Sequence, residues 1–256
     1  MLLLRSILWY AHFVISVITL TPRLILLRKK KNTTPPGAYA ENVYNTAYRW
    51  SQSQIKWSGS RFHVAGLENV PANGPVLYVA NHQSIFDVGV FLAYLPFPKG
   101  FIVKAEVLKL PLVRSWIQEM ESVFMDRQSI KNSARAILKG IETLKSGHSM
   151  VIFPEGHRSR GGPPGEFKAG SFKLALKSKA PIVPVTIEGT YKALEANHFL
   201  VKPADITVTV HPPVETADLT REEALQIPEK IKNMILSALP GRSSGQSSGR
   251  LPERSV

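Results

Sequence analysis

The sequence predicts an α/β fold, in which a mixed, largely parallel sheet of about seven strands is flanked by helices. An N-terminal membrane-associated helical segment is predicted to precede this fold. Two observations support these expectations. Short apolar runs alternate with helical patterns along most of the chain, as is typical of a parallel sheet with helices on both faces. The first 27 residues are mostly apolar, and a basic cluster follows them, as is typical of a segment that lies in or on a membrane.

Residues 1–34 form the predicted membrane anchor and its basic flank. Arg5 and the sequence Thr-Pro-Arg at 21–23 interrupt the apolar residues. A comfortable membrane span requires about 20 residues, and the longest uninterrupted apolar run is shorter than that. A single kinked crossing and two helices within one leaflet therefore both remain open. Residues 28–31 read Arg-Lys-Lys-Lys, and the positive-inside rule places them on the cytoplasmic face of the cell (inner) membrane.

Residues 35–239 form the predicted domain, and the Ser/Gly/Arg-rich residues 240–256 are predicted to be a disordered tail. The sequence NTTPPG at 32–37 is a linker signal. Short apolar runs predict strands at 61–66, 75–80, 100–104, 122–126, 149–153, 182–187 and 205–211. Helical patterns occupy 38–57, 85–95, 112–120, 130–146, 168–179 and 220–238.

The chain is strongly basic, with a formal net charge of +13. Residues 1–34 contribute +6 and residues 240–256 contribute +2, which leaves +5 for the domain. No nucleic-acid-binding motif occurs, and much of the excess charge lies beside the apolar segment. We therefore expect no nucleic acid and instead expect an anionic membrane surface as the partner, where each adjacent cation contributes about 1 kcal/mol.

The residue types that are missing exclude several kinds of chemistry. The chain contains no cysteine, which excludes a cysteine nucleophile, a Cys-based zinc site and disulfides. No calcium-binding loop, H-E-x-x-H sequence or Walker motif occurs. We therefore expect neither a metal nor a nucleotide cofactor.

The heptapeptide NHQSIFD at residues 81–87 lies where a predicted strand ends and a predicted helix begins, which is where α/β sheets commonly bind ligands. Residues five apart point about 140° away from each other on a helix. His82 and Asp87 can therefore pair only if His82 lies in the turn and Asp87 lies in the first helical turn. Asp87 would then accept a hydrogen bond from one imidazole nitrogen and leave the other nitrogen free as a base.

A purely structural interpretation of this heptapeptide is also available. The spacing of Ser84 and Asp87 is similar to that of a capping box, with Asp in place of Glu. Such a helix start requires no catalysis, so the heptapeptide alone leaves both interpretations open.

Three further blocks follow in order, namely ESVFMDR at 121–127, FPEGHRS at 153–159 and IVPVTI at 182–187. Together with NHQSIFD they resemble the four blocks of the glycerolipid acyltransferase family, over about residues 60–190. Residues 104–111, KAEVLKLP, similarly resemble the family's K-x-E-x-x-x-x-P segment. This chain has Glu121 where the family often has Gly, and His157 where it usually has Thr. Neither departure replaces a charged or catalytic position, and both leave the acceptor lipid open.

The resemblance implies an enzyme that transfers a fatty acyl group from acyl-CoA or acyl carrier protein to the free sn-2 hydroxyl of lysophosphatidic acid. The product would be phosphatidic acid, in phospholipid biosynthesis. His82 would take the hydroxyl proton and Asp87 would orient the imidazole, with the substrate alcohol in place of an enzyme serine. The resemblance also implies a set of residues that bind the acceptor. These residues are Arg158, Arg127, Glu155, Gly156 and Lys104.

Several of these assignments have alternatives. An ordinary surface cation is the alternative for Arg158, Arg127 and Lys104, and a partner of one of the two arginines is the alternative for Glu155. A related acyltransferase that uses glycerol 3-phosphate or an amino-acid lyso-lipid is the nearest alternative for the whole chain. A non-catalytic membrane-binding module is the other, and the intact pair of His82 and Asp87 argues against it.

Overall fold

The structure, a computed structural model, describes residues 1–240. Apart from Pro240, the tail predicted at 240–256 lies outside the described residues. The sheet has seven strands, which are Arg61–Ala65 (β1), Leu77–Ala80 (β2), Lys99–Lys104 (β3), Val123–Met125 (β4), Ser149–Ile152 (β5), Ile182–Glu188 (β6) and Asp205–Val210 (β7). Their order in the sheet is β1-β7-β6-β2-β5-β3-β4. Strands β6, β2, β5, β3 and β4 run parallel to one another, and β7 is antiparallel to β6.

Helices cover both faces of the sheet, and their ends follow local sequence signals. The last helix begins with a capping box, because Thr220 Oγ1 accepts from the backbone N–H of Glu223 and the Glu223 carboxylate accepts from that of Thr220. The α-helices are Leu2–Thr19 (α1), Thr21–Lys30 (α2), Pro36–Ser58 (α3), Phe86–Tyr94 (α4), Pro111–Glu119 (α5), Ile130–Lys145 (α6), Ala169–Ser178 (α7), Thr190–Ala193 (α8) and Arg221–Ser237 (α9).

The central strand β2 is buried on both faces, and its side chains divide between two cores. Tyr78 and Ala80 pack with residues of α2, α3 and α4 on one face. Leu77 and Val79 pack with residues of α6, α7 and α9 on the other. This alternation follows from the two-residue period of a strand. The predicted fold class is therefore confirmed: a mixed, largely parallel seven-stranded sheet lies between two helical layers.

Parallel strands end at the same edge of a sheet, so the loops that follow β2, β3, β4, β5 and β6 meet there. The heptapeptide 81–87 follows β2, and residues 153–159 follow β5, the neighbour of β2. The other neighbour of β2 is β6. The topology thus places the loop after β2 between the loops after β5 and β6.

The N-terminal segment forms two helices, α1 and α2, that meet at Leu20. Together, residues Leu2–Lys30 are long and apolar enough to cross a membrane, with a mean hydropathy of 1.6 over the best window. One side of the segment packs on the domain: Trp9 is buried, and its indole N–H donates to the Gln54 carbonyl of α3 at 3.0 Å. Large apolar side chains cover the other side and are exposed, namely Leu3, Leu4, Ile7, Leu8, Val14, Ile15, Ile18, Ile25 and Leu26.

A second contact joins the segment to the domain through the side chain of Glu119, which is only 8% exposed. Its carboxylate accepts from Arg28 Nε at 2.8 Å, Lys31 Nζ at 2.9 Å and Tyr39 Oη at 2.7 Å. Two residues of the basic cluster therefore bind the protein itself. Burial by itself raises the pKa of Glu119, but the hydrogen bonds from Tyr39, Lys31 and Arg28 outweigh that effect and lower the pKa below its ordinary value.

We predict that Glu119→Gln lowers the free energy of unfolding by about 1–3 kcal/mol at pH 7, because Arg28, Lys31 and Tyr39 lose a charged acceptor. A carboxyl whose pKa is lowered by folding stabilises the fold above its unfolded-state pKa. That contribution is lost as the pH falls through the folded-state pKa. The difference between variant and wild type should therefore shrink as the pH falls below the ordinary carboxyl range. Denaturant unfolding in detergent over a pH series measures it.

Glu142→Gln on α6 is the matched control for this prediction. The Glu142 side chain is 68% exposed and, within residues 1–240, pairs only with Lys139, at 3.3 Å, so the change should stay within about 0.5 kcal/mol. A stability loss in Glu119→Gln that is the same at every pH would contradict the assigned role of the Glu119 charge.

Candidate functional site

His82 and Asp87 form a hydrogen-bonded pair in the turn after β2. The distance from His82 Nδ1 to Asp87 Oδ2 is 2.7 Å. The helix α4 begins at Phe86, so Asp87 lies in its first turn and His82 precedes it. This is the arrangement that the five-residue spacing requires.

The Asp87 carboxylate is fully buried and accepts four hydrogen bonds. Besides the imidazole, Oδ2 accepts from the backbone N–H groups of Gln83 at 2.7 Å and Ser84 at 2.9 Å. Oδ1 accepts from Thr190 Oγ1 at 2.6 Å. Asp87 therefore binds backbone N–H groups at the helix start, as the structural interpretation expects, and also orients the imidazole. Only one half of the capping box forms, because Ser84 Oγ accepts from the Phe86 N–H at 3.1 Å while the Asp87 N–H donates to the Ser84 carbonyl. A catalytic role for His82 and Asp87 stays a prediction.

Two contacts hold the imidazole of His82: the hydrogen bond to Asp87 and stacking against an aromatic ring. Its ring stacks on Phe153, the first residue of the FPEGHRS block, with centroids 4.1 Å apart and ring planes 16° apart. Because an ionised Asp87 can only accept, His82 Nδ1 carries the proton toward it. Within residues 1–240, Nε2 has no hydrogen-bond partner, and the side chain is 18% exposed. The free nitrogen is thus available as a proton acceptor.

The FPEGHRS loop holds the backbone of His82 on both sides. Glu155 Oε1 accepts from the His82 N–H at 2.7 Å, and the Ser159 N–H donates to the His82 carbonyl at 2.8 Å. Glu155 Oε2 accepts from the Gly165 N–H at 2.8 Å. Burial raises the pKa of Glu155, although these backbone donors oppose the shift. Within residues 1–240, Glu155 forms no ion pair with an arginine, and Arg158 pairs with Glu195 instead.

Gly156 brings the backbone close to two cations. Its φ is +77°, a conformation that favours glycine. A Cβ built at Gly156 would lie 3.2 Å from Lys168 Nζ and 3.4 Å from Arg127 Nη1. Arg127 is half-buried here, and burial lowers its pKa while nearby Glu106 opposes that shift. The structure therefore places Arg127 beside the FPEGHRS loop, together with Lys168, which the sequence did not single out.

The other two predicted cations are paired with carboxylates. Arg158 Nη1 lies 3.0 Å from Glu195 Oε1, and the arginine side chain is 26% exposed. Lys104 Nζ lies 3.1 Å from Glu106 Oε1, and both side chains are more than half exposed. Lys104 ends β3, so it lies at the same edge of the sheet as the other site residues.

Sequence reasoning missed several residues that build this site. Thr190 and Glu195 lie more than 100 positions from His82, in a segment with no motif of its own. Gln83 lies inside the heptapeptide, but its role requires β6: its amide donates to Glu188 at 2.7 Å and accepts from the Gly189 N–H at 2.9 Å. The sequence did contain a signal for Phe153, because this residue begins the FPEGHRS block directly after β5.

An apolar cavity of about 120 Å³ lies between the N-terminal segment and the helices that begin near the site. Val88, one of its lining residues, directly follows Asp87 in α4. The other lining residues come mainly from α1, α3, α4 and α5 and include Phe13, Val17, Trp50, Leu92, Trp116 and Ile117. Apart from Thr46, its lining side chains are apolar.

Residues 61–188 match the sequence profile of the family described as Acyltransferase. A 1-acyl-sn-glycerol-3-phosphate acyltransferase of Borreliella burgdorferi is 32% identical over 71% of this chain and 73% of the relative. The chloroplastic 1-acyl-sn-glycerol-3-phosphate acyltransferase BAT2 of Brassica napus is 34% identical over 63% of this chain, and the match spans only 48% of that longer relative. The crystal structure of the 1-acyl-sn-glycerophosphate (LPA) acyltransferase PlsC from Thermotoga maritima is similar, with a TM-score of 0.81, 26% identity and coverage of 95% of this chain and 98% of that one.

Proposed function

Because this chain belongs to the acyltransferase family, we propose that it transfers a fatty acyl group from an acyl thioester to the sn-2 hydroxyl of lysophosphatidic acid, with His82 as the general base. The product is phosphatidic acid, a precursor in phospholipid biosynthesis. The observation that carries the proposal is the hydrogen bond between His82 Nδ1 and Asp87 Oδ2, which leaves Nε2 free at the sheet edge.

In the proposed reaction, the acceptor hydroxyl attacks the thioester carbonyl while His82 Nε2 takes its proton. Asp87 stabilises the imidazolium that forms, and the four donors around its carboxylate hold it in place. The carbon–sulfur bond then breaks, and the departing thiolate receives the proton from His82. No acyl-enzyme is required, because the substrate alcohol takes the place of an enzyme serine, and the chain has no cysteine to carry an acyl group.

Arg158 and Arg127 are proposed to bind the phosphate of the acceptor, beside Gly156. A guanidinium meets two phosphate oxygens at once through its planar fork, which a lysine cannot reproduce. Lys104 is a further candidate on the same edge. Glu155 serves this site indirectly, because it holds the backbone of His82 and the loop that carries Arg158.

The apolar cavity between α1 and α4 is proposed to hold an acyl chain, since Val88 at its wall follows Asp87 directly. The donor is acyl-CoA or acyl carrier protein, and both present the same thioester to His82. The exposed apolar side of α1 and α2 would lie in the membrane. The basic residues 28–31 would place the domain on the cytoplasmic face of the inner membrane.

An acceptor panel tests the substrate. Purified protein with one acyl-CoA should release thiol with lysophosphatidic acid. It should release little with glycerol 3-phosphate, an amino-acid lyso-lipid or a phosphate-free monoacylglycerol. Preference for any of the last three would replace the proposed acceptor with that one.

We predict that His82→Ala lowers kcat by about 10²- to 10⁴-fold, which is the usual contribution of a general base. Asp87→Asn should cost less than loss of the base, but still about 10²-fold or more, because the imidazole loses its orienting acceptor. Thiol release from acyl-CoA in the presence of acceptor measures both. His63→Ala, on the exposed side of β1, is the control and should keep full activity. Near-normal turnover by His82→Ala would end this mechanism.

We predict that Arg158→Lys raises the KM for lysophosphatidic acid by about 10- to 100-fold, as expected for loss of a charge-assisted hydrogen bond. Its kcat should also fall, because a misplaced hydroxyl reacts slowly. The KM for the acyl donor should change little, and Arg135→Lys on the exposed side of α6 should change neither constant. A rise chiefly in the donor KM would instead assign Arg158 to the donor phosphates.

We predict that Ile7→Asp combined with Ile18→Asp releases the protein from membranes, because both side chains are more than half exposed on the apolar side of α1. Point changes are preferable to deletion of residues 1–34, since Trp9 and Arg28 bind the domain. Fractionation and thermal unfolding measure attachment and fold. Leu138→Asp, at a 61% exposed leucine on α6, should stay membrane-bound. Retention of a folded Ile7/Ile18 variant in salt-washed membranes would contradict this orientation.

A further inference from the structure

Glu195 joins two loops of the site that are far apart in sequence. It begins a 3₁₀ turn, Glu195–Asn197, after α8. Its Oε1 accepts from the Ile85 N–H at 3.0 Å and from Arg158 Nη1 at 3.0 Å. Ile85 lies between His82 and Asp87 in the heptapeptide, so one oxygen atom connects the histidine turn to the arginine.

The Glu195 side chain is only 1% exposed, and its hydrogen bonds are incomplete. Its Oε2 is buried and has no hydrogen-bond partner within residues 1–240. A buried carboxylate oxygen without a donor destabilises a fold. Stability alone therefore does not account for this glutamate, and positions that break a local rule at a cost in stability are typical of functional sites.

The ion pair restrains Arg158 without using all of its donors. A guanidinium has five N–H groups in a rigid plane, and Glu195 accepts from one nitrogen, Nη1. The arginine side chain remains 26% exposed, so other N–H groups can reach a ligand. The Ile85 N–H in turn holds the carboxylate against the turn that carries His82.

We propose that Glu195 is a positioning residue for acyl transfer. It holds the Arg158 guanidinium at a set distance from the His82 turn, so that an acceptor bound through its phosphate presents its hydroxyl to Nε2. This inference rests on the proposed function, because it requires that Arg158 bind the acceptor. Glu195 itself touches neither substrate and acts through Arg158.

The test compares Glu195→Ala and Glu195→Gln with the wild type in steady-state assays with lysophosphatidic acid and acyl-CoA. Glu195→Ala should lower kcat/KM for the acceptor by about 10- to 100-fold, as expected for a misplaced reacting group. Glu195→Gln keeps an oxygen that can accept from both donors and should recover part of that loss. The KM for acyl-CoA should stay unchanged in both. Glu142→Gln, on the surface of α6, is the control for removal of a carboxylate.

The same assay in the Arg158→Lys background separates positioning from a general structural role. If Glu195 acts through Arg158, then Glu195→Ala should cost little further activity in that background. The proposal would be overturned if the fold-loss of activity in the double variant equals the product of the two single losses. A rise in the KM for acyl-CoA with either Glu195 change would also overturn it. Thermal unfolding of each variant accompanies the kinetics, and Glu195→Gln provides the readout if Glu195→Ala does not fold.

The outcomes also separate this inference from the proposed function. If Arg158→Lys impairs acceptor use but neither Glu195 variant does, the positioning role is overturned and the acceptor role of Arg158 stands. If Arg158→Lys leaves acceptor kinetics unchanged, both the acceptor role of Arg158 and the positioning role of Glu195 are contradicted. If His82→Ala retains turnover, the proposed chemistry fails whatever the Glu195 variants show.

Discussion

A buried carboxylate in an α/β fold must be surrounded by donors, because its transfer from water is otherwise too costly. Asp87 is fully buried, and the site is arranged around this requirement. Two of its four donors are backbone N–H groups at Gln83 and Ser84, which set the shape of the turn. The third is the His82 imidazole and the fourth is Thr190, which comes from the segment after β6. The same hydrogen bonds that satisfy the charge therefore orient the His82 imidazole.

The strand order explains why residues from separate sequence blocks reach this carboxylate. β2 lies between β5 and β6, so the loops after those two strands flank the heptapeptide. The loop after β5 holds the His82 backbone through Glu155 and stacks Phe153 on the ring. The segment after β6 supplies Thr190 and Glu195. Rigid neighbouring strands thus place the groups that proton transfer and anion binding require.

The N-terminal segment, which we propose as the membrane anchor, also packs on the domain. Trp9 is buried against the domain, and the basic end of α2 binds Glu119. The apolar cavity is walled on one side by α1 and on the other by the helix that carries Asp87. The exposed apolar surface that we propose lies in the membrane and one wall of the apolar cavity are therefore built from different residues of the same helix, α1.

The sequence alone determined the seven strands, the helices between them other than the short α8, the apolar segment and the pairing of His82 with Asp87. These depend on local periodicity and short spacing, which are visible along the chain. Two contacts had no such signal: the donor from Thr190 and the ion pair that joins Glu195 to Arg158. Each joins residues brought together by the order of the strands, and that order depends on packing across the whole sheet. The tertiary structure alone decided which cations pair with carboxylates and which donors bind the buried carboxylate of Asp87.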